Sequence, residues 1–135
     1  MGPILVVDDD ALSLELVSEF LGAEGYRVLT SISAEEALSL AREELPGLVL
    51  MDIRLPGMDG LAATRTLKAD PLIDHIPVIA TTALATKSDE AQVLEAGCES
   101  HLVKPLDLPR LLATVKKYLG PTAKADSREW NGGAT

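Results

Sequence analysis

The chain has 135 residues, of which 47% are hydrophobic and 24% are charged. This length suits a single domain with one hydrophobic core, and the composition is ordinary for a globular protein. A formal net charge of −9 argues against non-specific nucleic-acid binding, which depends on basic patches that neutralise phosphates. No apolar run approaches the roughly 18 residues that span a bilayer, and the single cysteine excludes an internal disulfide framework. We therefore expect a cytoplasmic protein that binds neither membranes nor nucleic acid directly.

Five short apolar runs, each predicted to be a strand, alternate with five longer amphipathic stretches, each predicted to be a helix. The predicted strands cover residues 4–7, 27–30, 48–51, 78–81 and 101–103. In the first helix Leu12, Leu16 and Phe20 recur at four-residue spacing, with Val17 and Leu21 beside them, and mark one apolar face. Strand–helix alternation predicts an α/β fold with a parallel sheet covered by helices on both faces.

For this alternation we predict a doubly wound, flavodoxin-like sheet of five parallel strands in the order 2-1-3-4-5. Gly120 and Pro121 stop the last helix, and the sequence beyond them has no periodicity. The predicted domain therefore covers residues 1–120, and residues 121–135 are predicted to form a disordered tail.

Chemically active side chains follow four of the five predicted strands: Asp8, Asp9, Asp52, Thr82 and Lys104. Because the carboxyl ends of parallel strands meet at one edge of a sheet, we expect these groups to converge. Three close carboxylates repel one another, and Mg²⁺, which prefers oxygen ligands, removes that conflict. A lysine and a threonine hydroxyl nearby suit a phosphoryl group in transfer, and one carboxylate can itself be the nucleophile.

The residues after the third strand carry the clearest motif. The stretch of residues 52–60, Asp-Ile-Arg-Leu-Pro-Gly-Met-Asp-Gly, resembles the phosphorylation loop of the response-regulator receiver family of two-component signalling. Three other segments, Leu-Val-Val-Asp-Asp at 5–9, Thr-Ala at 82–83 and Lys-Pro at 104–105, match the family's other landmarks in order. The resemblance covers residues 3–119, and four motifs in order on five strands make it specific.

The resemblance implies that Asp52 is the phosphoacceptor and that the cofactor is Mg²⁺. Asp9 is expected to bind the metal directly, and Asp8 directly or through water. Asp52 and the backbone carbonyl of Arg54 complete the implied set of protein ligands.

The resemblance also implies roles for the ends of the last two strands. Thr82 is expected to hydrogen-bond the phosphoryl group, and Lys104, before a cis peptide to Pro105, to pair with its charge. Many family members carry Tyr or Phe three residues before this lysine as a switch between two rotamers. This chain has His101 there, so we expect the rotation to be sensitive to pH.

As a receiver, the chain is expected to take its phosphoryl group from a histidine kinase or a phosphotransfer protein in a phosphorelay. It is expected to be a switch with self-phosphorylation and autodephosphorylation chemistry, and not an enzyme with a separate substrate. We expect no output domain after Leu119, and we expect the signal to pass to a downstream protein through the helix 4, strand 5 and helix 5 face. The chain looks like the stand-alone DivK and CheY types, although a receiver from a hybrid histidine kinase is an alternative.

Two other classes of protein are alternatives to the receiver. A phosphatase of the haloacid dehalogenase family needs a second Asp two residues after the nucleophile, where this chain has Arg54. A flavodoxin-type electron carrier needs a phosphate-binding loop after the first strand, where three aspartates would repel a flavin phosphate. Local structure also offers other roles: Asp10 is expected to cap the first helix, Thr81 to complete the fourth strand, and Asp59-Gly60 is an alternative loop-to-helix cap.

Overall fold

The computed structural model describes residues 2–83 and 86–122. Within these residues, strands and helices alternate along the whole chain. The strands are β1 (Ile4–Val7), β2 (Val28–Ser31), β3 (Leu48–Asp52), β4 (Val78–Thr82) and β5 (Ser100–Val103). The helices are α1 (Ala11–Ala23), α2 (Ala34–Glu44), α3 (Gly60–Lys68), α4 (Lys87–Ala96) and α5 (Leu108–Leu119). Each strand boundary lies within one residue of the prediction.

The strands form one parallel sheet in the order β2-β1-β3-β4-β5, which confirms the predicted doubly wound fold. The central strands β1 and β3 are buried along their whole length, because helices cover both faces of the sheet. Buried side chains of α2, α3 and α4 pack on one face, and those of α1 and α5 pack on the other. Two apolar layers therefore leave the ends of the strands as the place where polar groups can gather.

Each helix begins at a side chain that accepts a hydrogen bond from a backbone N–H of the first turn. These N-caps are Asp10, Ser33, Asp59, Thr86 and Asp107. Such caps satisfy N–H groups that have no partner within the helix. The predicted capping role of Asp10 is confirmed, and the alternative reading of Asp59 as a cap is also confirmed.

The buried face of α1 differs from the row of four-residue spacing in its sequence. Leu14, Val17 and Leu21 are buried, whereas Leu12 is 76% exposed and Leu16 is 57% exposed. The helix carries two apolar rows, and a local pattern does not tell which one meets the sheet. The row that begins at Leu12 instead runs along the outside of the domain.

The end of α5 is tied to the end of α1 on the side opposite the carboxyl edge of the sheet. The Tyr26 hydroxyl donates to the Gly120 carbonyl at 2.8 Å, and the Thr122 hydroxyl donates to the carbonyl of Glu24. The rest of the predicted tail, residues 123–135, lies outside the described residues. Among the residues that are described, no helix is both long and apolar enough to cross a bilayer.

Candidate functional site

The polar residues predicted to converge lie at the carboxyl edge of the sheet. Asp8 follows β1, Asp52 ends β3 and Lys104 follows β5. Alternation along the strands turns these three side chains to the same side as the buried Leu50 and Leu102, the side of α1 and α5. The sheet thus brings together side chains that are up to 96 positions apart in the sequence.

Three carboxylates form a compact cluster at this edge. One carboxylate oxygen each from Asp8, Asp9 and Asp52 lies within 4.8 Å of the others. Asp8 and Asp52 are about 5% and 4% exposed, while Asp9 is exposed to solvent. Two buried carboxylates this close need a cation to offset their repulsion and their loss of hydration.

Lys104 is one such cation. Its Nζ donates to Asp8 Oδ2 at 2.9 Å and to Asp52 Oδ2 at 3.0 Å. Burial by itself would lower the pKa of Lys104, but the hydrogen bonds to Asp8 and then to Asp52 outweigh it and raise that pKa above its usual value. The lysine is therefore charged at neutral pH and bridges the two buried carboxylates. As predicted, the peptide bond from Lys104 to Pro105 is cis.

The carboxyl group of Asp52 has a raised pKa. Burial is the largest cause, and the negative charge of Asp8 adds to it. The backbone N–H of Arg54, which donates to Asp52 Oδ1 at 3.0 Å, and the bond from Lys104 act in the opposite direction. The ionised form of Asp52 is thus held in surroundings that solvate it less well than water does, and a further cation would relieve this.

The donor set suits Mg²⁺, a hard cation that is usually bound by one or two carboxylates, waters and phosphate oxygens. Asp9, exposed and beside the buried pair, offers an open side from which an ion and its waters can enter. Arg54 was predicted to contribute its carbonyl. Its backbone N–H has a separate contact, the hydrogen bond to Asp52, which the sequence did not reveal.

The two threonines at the end of β4 point to opposite faces of the sheet. Thr81 pairs in register with Asp52 and lines a cavity of about 390 Å³ between α1 and the loop after β5. Leu16 and Pro105 also line this cavity, so the unexpected exposure of Leu16 belongs to a groove next to the carboxylates. Thr82 is buried and lies on the other face, beside Ala80 and α4.

His101 lies on β5, next to Ala80 in the sheet and on the face covered by α4. Its Nε2 lies 3.7 Å from Oε1 of Glu90 in α4, and a quarter of its side chain is exposed. The residue predicted as the switch therefore contacts the helix that follows Thr82 in the chain. The contact with Glu90 was not predicted, because the two residues belong to different elements.

Gly60 is the last residue of the stretch that resembles the phosphorylation loop and was also predicted as part of a possible cap, and it packs against that loop from the start of α3. A Cβ atom at this position would lie 2.1 Å from the carbonyl oxygen of Asp52 and 2.7 Å from Cα of Ile53. The Gly60 N–H donates to the Ile53 carbonyl at 3.1 Å. The first residue of α3 is thus packed directly against the backbone that carries Asp52, and only glycine fits there. The sequence signals were the family motif, which ends at Gly60, and the place of this glycine at the start of a predicted helix.

Comparison with known proteins agrees with this geometry. The family model described as the response regulator receiver domain matches residues 4–116. The polar-differentiation response regulator DivK of Brucella ovis is 45% identical over 117 residues, which cover 87% of this chain and 95% of that protein.

Two solved structures extend the similarity to the fold. A response regulator from Chloroflexus aurantiacus superposes with a TM-score of 0.83 at 33% identity, covering 87% of this chain and 97% of its own. The receiver domain of the sensor histidine kinase PA1611 from Pseudomonas aeruginosa, with a magnesium ion coordinated in its active site cleft, superposes with a TM-score of 0.81 at 32% identity. That match covers 88% of this chain and 98% of the other.

These similarities favour a receiver over the two alternative classes, the phosphatase and the electron carrier. They span all five strands and the acidic edge where Asp52 lies. The chain belongs to the response regulator receiver domain family of two-component signalling.

Proposed function

We propose that this receiver accepts a phosphoryl group on Asp52 from a histidine kinase or a phosphotransfer protein, with Mg²⁺ as cofactor. The observation that carries the proposal is the convergence of a buried Asp52 with Asp8, Asp9 and Lys104 at one edge of the sheet. Asp52 is the one carboxylate of the three that belongs to a central strand, as the last residue of β3. Like Asp8, it accepts hydrogen bonds from Lys104 and from a backbone N–H.

In the transfer step, an Asp52 oxygen forms a bond to phosphorus while the bond from phosphorus to the donor's imidazole nitrogen breaks. The electron pair of the broken bond stays on that nitrogen. Lys104, which already contacts Asp52 Oδ2, pairs its ammonium group with a phosphoryl oxygen. The Thr82 side chain turns from the α4 face of the sheet toward the site and donates a hydrogen bond to another phosphoryl oxygen. Hydrolysis by water returns the Asp52 carboxylate and inorganic phosphate.

Mg²⁺ bound by Asp8, Asp9, Asp52 and the Arg54 carbonyl would neutralise the repulsion between the carboxylates and the incoming phosphoryl oxygens. The magnesium ion in the cleft of the Pseudomonas aeruginosa receiver supports this choice of cation. With Mg²⁺ present, the chain's own part is to hold the carboxylates apart from bulk water and to keep Lys104 within reach of Asp52.

Phosphorylation of this chain should depend on Mg²⁺, and loss of Asp9 should weaken Mg²⁺ binding more than loss of Asp10. Asp9 belongs to the acidic cluster, whereas Asp10 caps α1 by accepting from the Leu12 N–H and the Ser13 hydroxyl. We expect acetyl phosphate to add one phosphoryl group in the presence of Mg²⁺ and none in the presence of a chelator, as measured by intact mass. The Mg²⁺ concentration for half-maximal labelling should rise at least about tenfold in Asp9→Asn.

Asp10→Asn is the matched control, because asparagine caps helices about as well as aspartate and the two variants change the charge equally. Its Mg²⁺ requirement should stay close to that of the wild type. Equal losses in the two variants would contradict the division of roles between neighbouring aspartates. Labelling of the wild type that proceeds fully with chelator present would remove Mg²⁺ from the proposal.

The output surface of the proposed switch is the face formed by α4, β5 and α5. Val93 and Ala96 are the buried residues of α4, whereas α3 buries four, so α4 is held less firmly than α3 and can shift at small cost. Leu94 of α4 and Val103 of β5 expose apolar surface there, as a protein-binding face requires. Because Thr82 precedes α4 in the chain, a hydrogen bond from Thr82 to a phosphoryl oxygen would bias the position of this helix.

Lys104→Ala should keep Mg²⁺ binding but lose most of the change at the output surface. The lysine contacts Asp8 and Asp52 through its ammonium group and competes with a cation for them, so its removal should not weaken the metal site. It should, however, remove the charge that pairs with a phosphoryl oxygen. Backbone NMR shifts of residues 86–103 with the phosphoryl mimic beryllofluoride should move in the wild type and by less than about half as much in the variant.

Two outcomes of this experiment would count against the output surface or the role of Lys104. Shift changes confined to residues 53–60 in the wild type would show that α4 and β5 do not form the output face. A full response in Lys104→Ala would show that the lysine does not couple the phosphoryl group to that face.

A further inference from the structure

An ion pair between β5 and α4 connects the proposed switch residue to the proposed output helix. Leu102 points to the α1 and α5 side of the sheet, so its neighbour His101 points to the side covered by α4. There His101 Nε2 lies 3.7 Å from Oε1 of Glu90, with side chains that are 26% and 47% exposed. The contact spans the boundary across which α4 would have to move.

The chemistry of this pair makes it depend on pH. At 3.7 Å the atoms are too far apart for a good hydrogen bond from a neutral imidazole. A protonated imidazole, by contrast, attracts a carboxylate at this distance through its charge. Histidine gains its charge as the pH falls from about 8 to 5, while glutamate stays ionised over most of that range. The attraction therefore requires a proton on the imidazole of His101.

Two of the other three charged residues of α4 have partners of their own. In α4, Asp89 is engaged in the capping box with Thr86, and Glu95 faces Arg65 of α3 at 3.8 Å. Lys87, one turn before Glu90, is the remaining charged residue of the helix. Within the sheet, the register neighbour of His101 is the uncharged Ala80.

Charged residues outside α4 also have partners of their own. Lys68 of α3 pairs with Glu99, the charged residue that precedes β5, at 3.3 Å. Glu90 is thus the charged group within 4 Å of His101 among the residues that the structure describes. A single attraction matters here because α4 buries few side chains of its own.

We propose that His101 and Glu90 form a proton-dependent latch that holds α4 against β5 and opposes the phosphorylation-driven shift of this helix. The opposition to the shift of α4 rests on the proposed function, whereas the latch itself does not. If phosphorylation moves α4 away from His101, protons and the phosphoryl group bind preferentially to different states and weaken each other's binding.

The latch is tested first in the unphosphorylated protein, by amide hydrogen exchange of α4 at pH 5.5 and pH 7.5, expressed as protection factors. Protection of residues 90–96 in the wild type should be about two- to fivefold higher at the lower pH, the range for partly exposed ion pairs. Glu90→Gln and His101→Gln should both abolish this difference. Glu95→Gln and His75→Gln are the controls, since each makes the same substitution away from the pair, and both should retain the difference.

A pH difference that survives in Glu90→Gln would overturn the latch, as would its loss in Glu95→Gln to the same extent. Because all four side chains are at least partly exposed, none of these variants is expected to unfold. The comparison is made between variants at each pH, so general effects of acid on the protein cancel.

The opposition to phosphorylation is tested with beryllofluoride and Mg²⁺ at the same two pH values. The concentration that half-shifts the α4 resonances should be about two- to fivefold higher in the wild type than in Glu90→Gln at pH 5.5, and equal in the two at pH 7.5. An equal requirement at pH 5.5 would overturn the opposition. If α4 responds to beryllofluoride in neither protein, the proposed output face is wrong, while the exchange result still decides the latch.

Discussion

Asp52→Asn should abolish phosphorylation by acetyl phosphate, lowering the rate of labelling at least about a thousandfold, as expected when a nucleophile is removed. An amide oxygen is a far weaker nucleophile than a carboxylate oxygen, and the remaining Asp8 and Asp9 do not end β3. Intact mass measured over time, with Mg²⁺ present in both samples, gives the rate. Labelling of the variant at the wild-type rate would assign the phosphoacceptor to another residue.

The same variant should be more stable than the wild type at neutral pH, which excludes unfolding as the reason for lost labelling. Because burial raises the pKa of Asp52, the folded chain binds a proton there more tightly than the unfolded chain does. The stability linked to that proton is present at low pH and is lost as the pH rises through the folded-state pKa. At pH 7 the wild type therefore holds a destabilising charge that asparagine lacks.

Urea unfolding without Mg²⁺ should show a gain on the order of 1 kcal/mol in Asp52→Asn at pH 7. The gain should shrink as the pH falls toward 3.8, the usual aspartate value, because the wild type then recovers its proton. A gain that is the same at both ends of this pH range would mean that the charge of Asp52 is not its cause.

Gly60→Ala should destabilise the domain by about 3 kcal/mol, the upper part of the range for an overpacked interior. The new methyl group would meet the carbonyl oxygen of Asp52 at 2.1 Å, and backbone atoms cannot rotate away as a side chain can. Relief of this clash requires Asp52 or α3 to move, so Mg²⁺ affinity should fall as well. Urea unfolding and a Mg²⁺ titration measure the two effects.

Gly22→Ala is the matched control for Gly60→Ala. Gly22 lies in α1, and no atom lies within 4 Å of the position that its Cβ would take. Alanine there should raise the free energy of unfolding by up to about 1 kcal/mol, through helix propensity. Similar effects of the two substitutions would show that the close approach of Gly60 to Asp52 does not constrain the site.

Local sequence patterns were sufficient to predict the order of the elements, the parallel sheet and the group of residues at its carboxyl edge. These follow from local signals: buried strands read as continuous apolar runs, and Asp8, Asp52 and Lys104 stand directly after such runs. Once the strands are parallel, their ends must share an edge. The family motif around Asp52 could be read for the same reason, since its residues are neighbours in the chain.

The faces of the helices and strands that contact one another could not be predicted from the sequence and are known from the three-dimensional structure. The burial of Leu14 in place of Leu12 depends on how α1 lies on the sheet, which its own spacing does not specify. The bridge from Lys104 to Asp8 joins residues 96 positions apart, and the approach of Gly60 to the Asp52 carbonyl depends on the path of the intervening loop. The pair of His101 and Glu90 likewise exists because α4 packs over β5. Such contacts depend on packing between elements. The sequence of each element indicates the secondary structure that it prefers, but not the partner against which it packs.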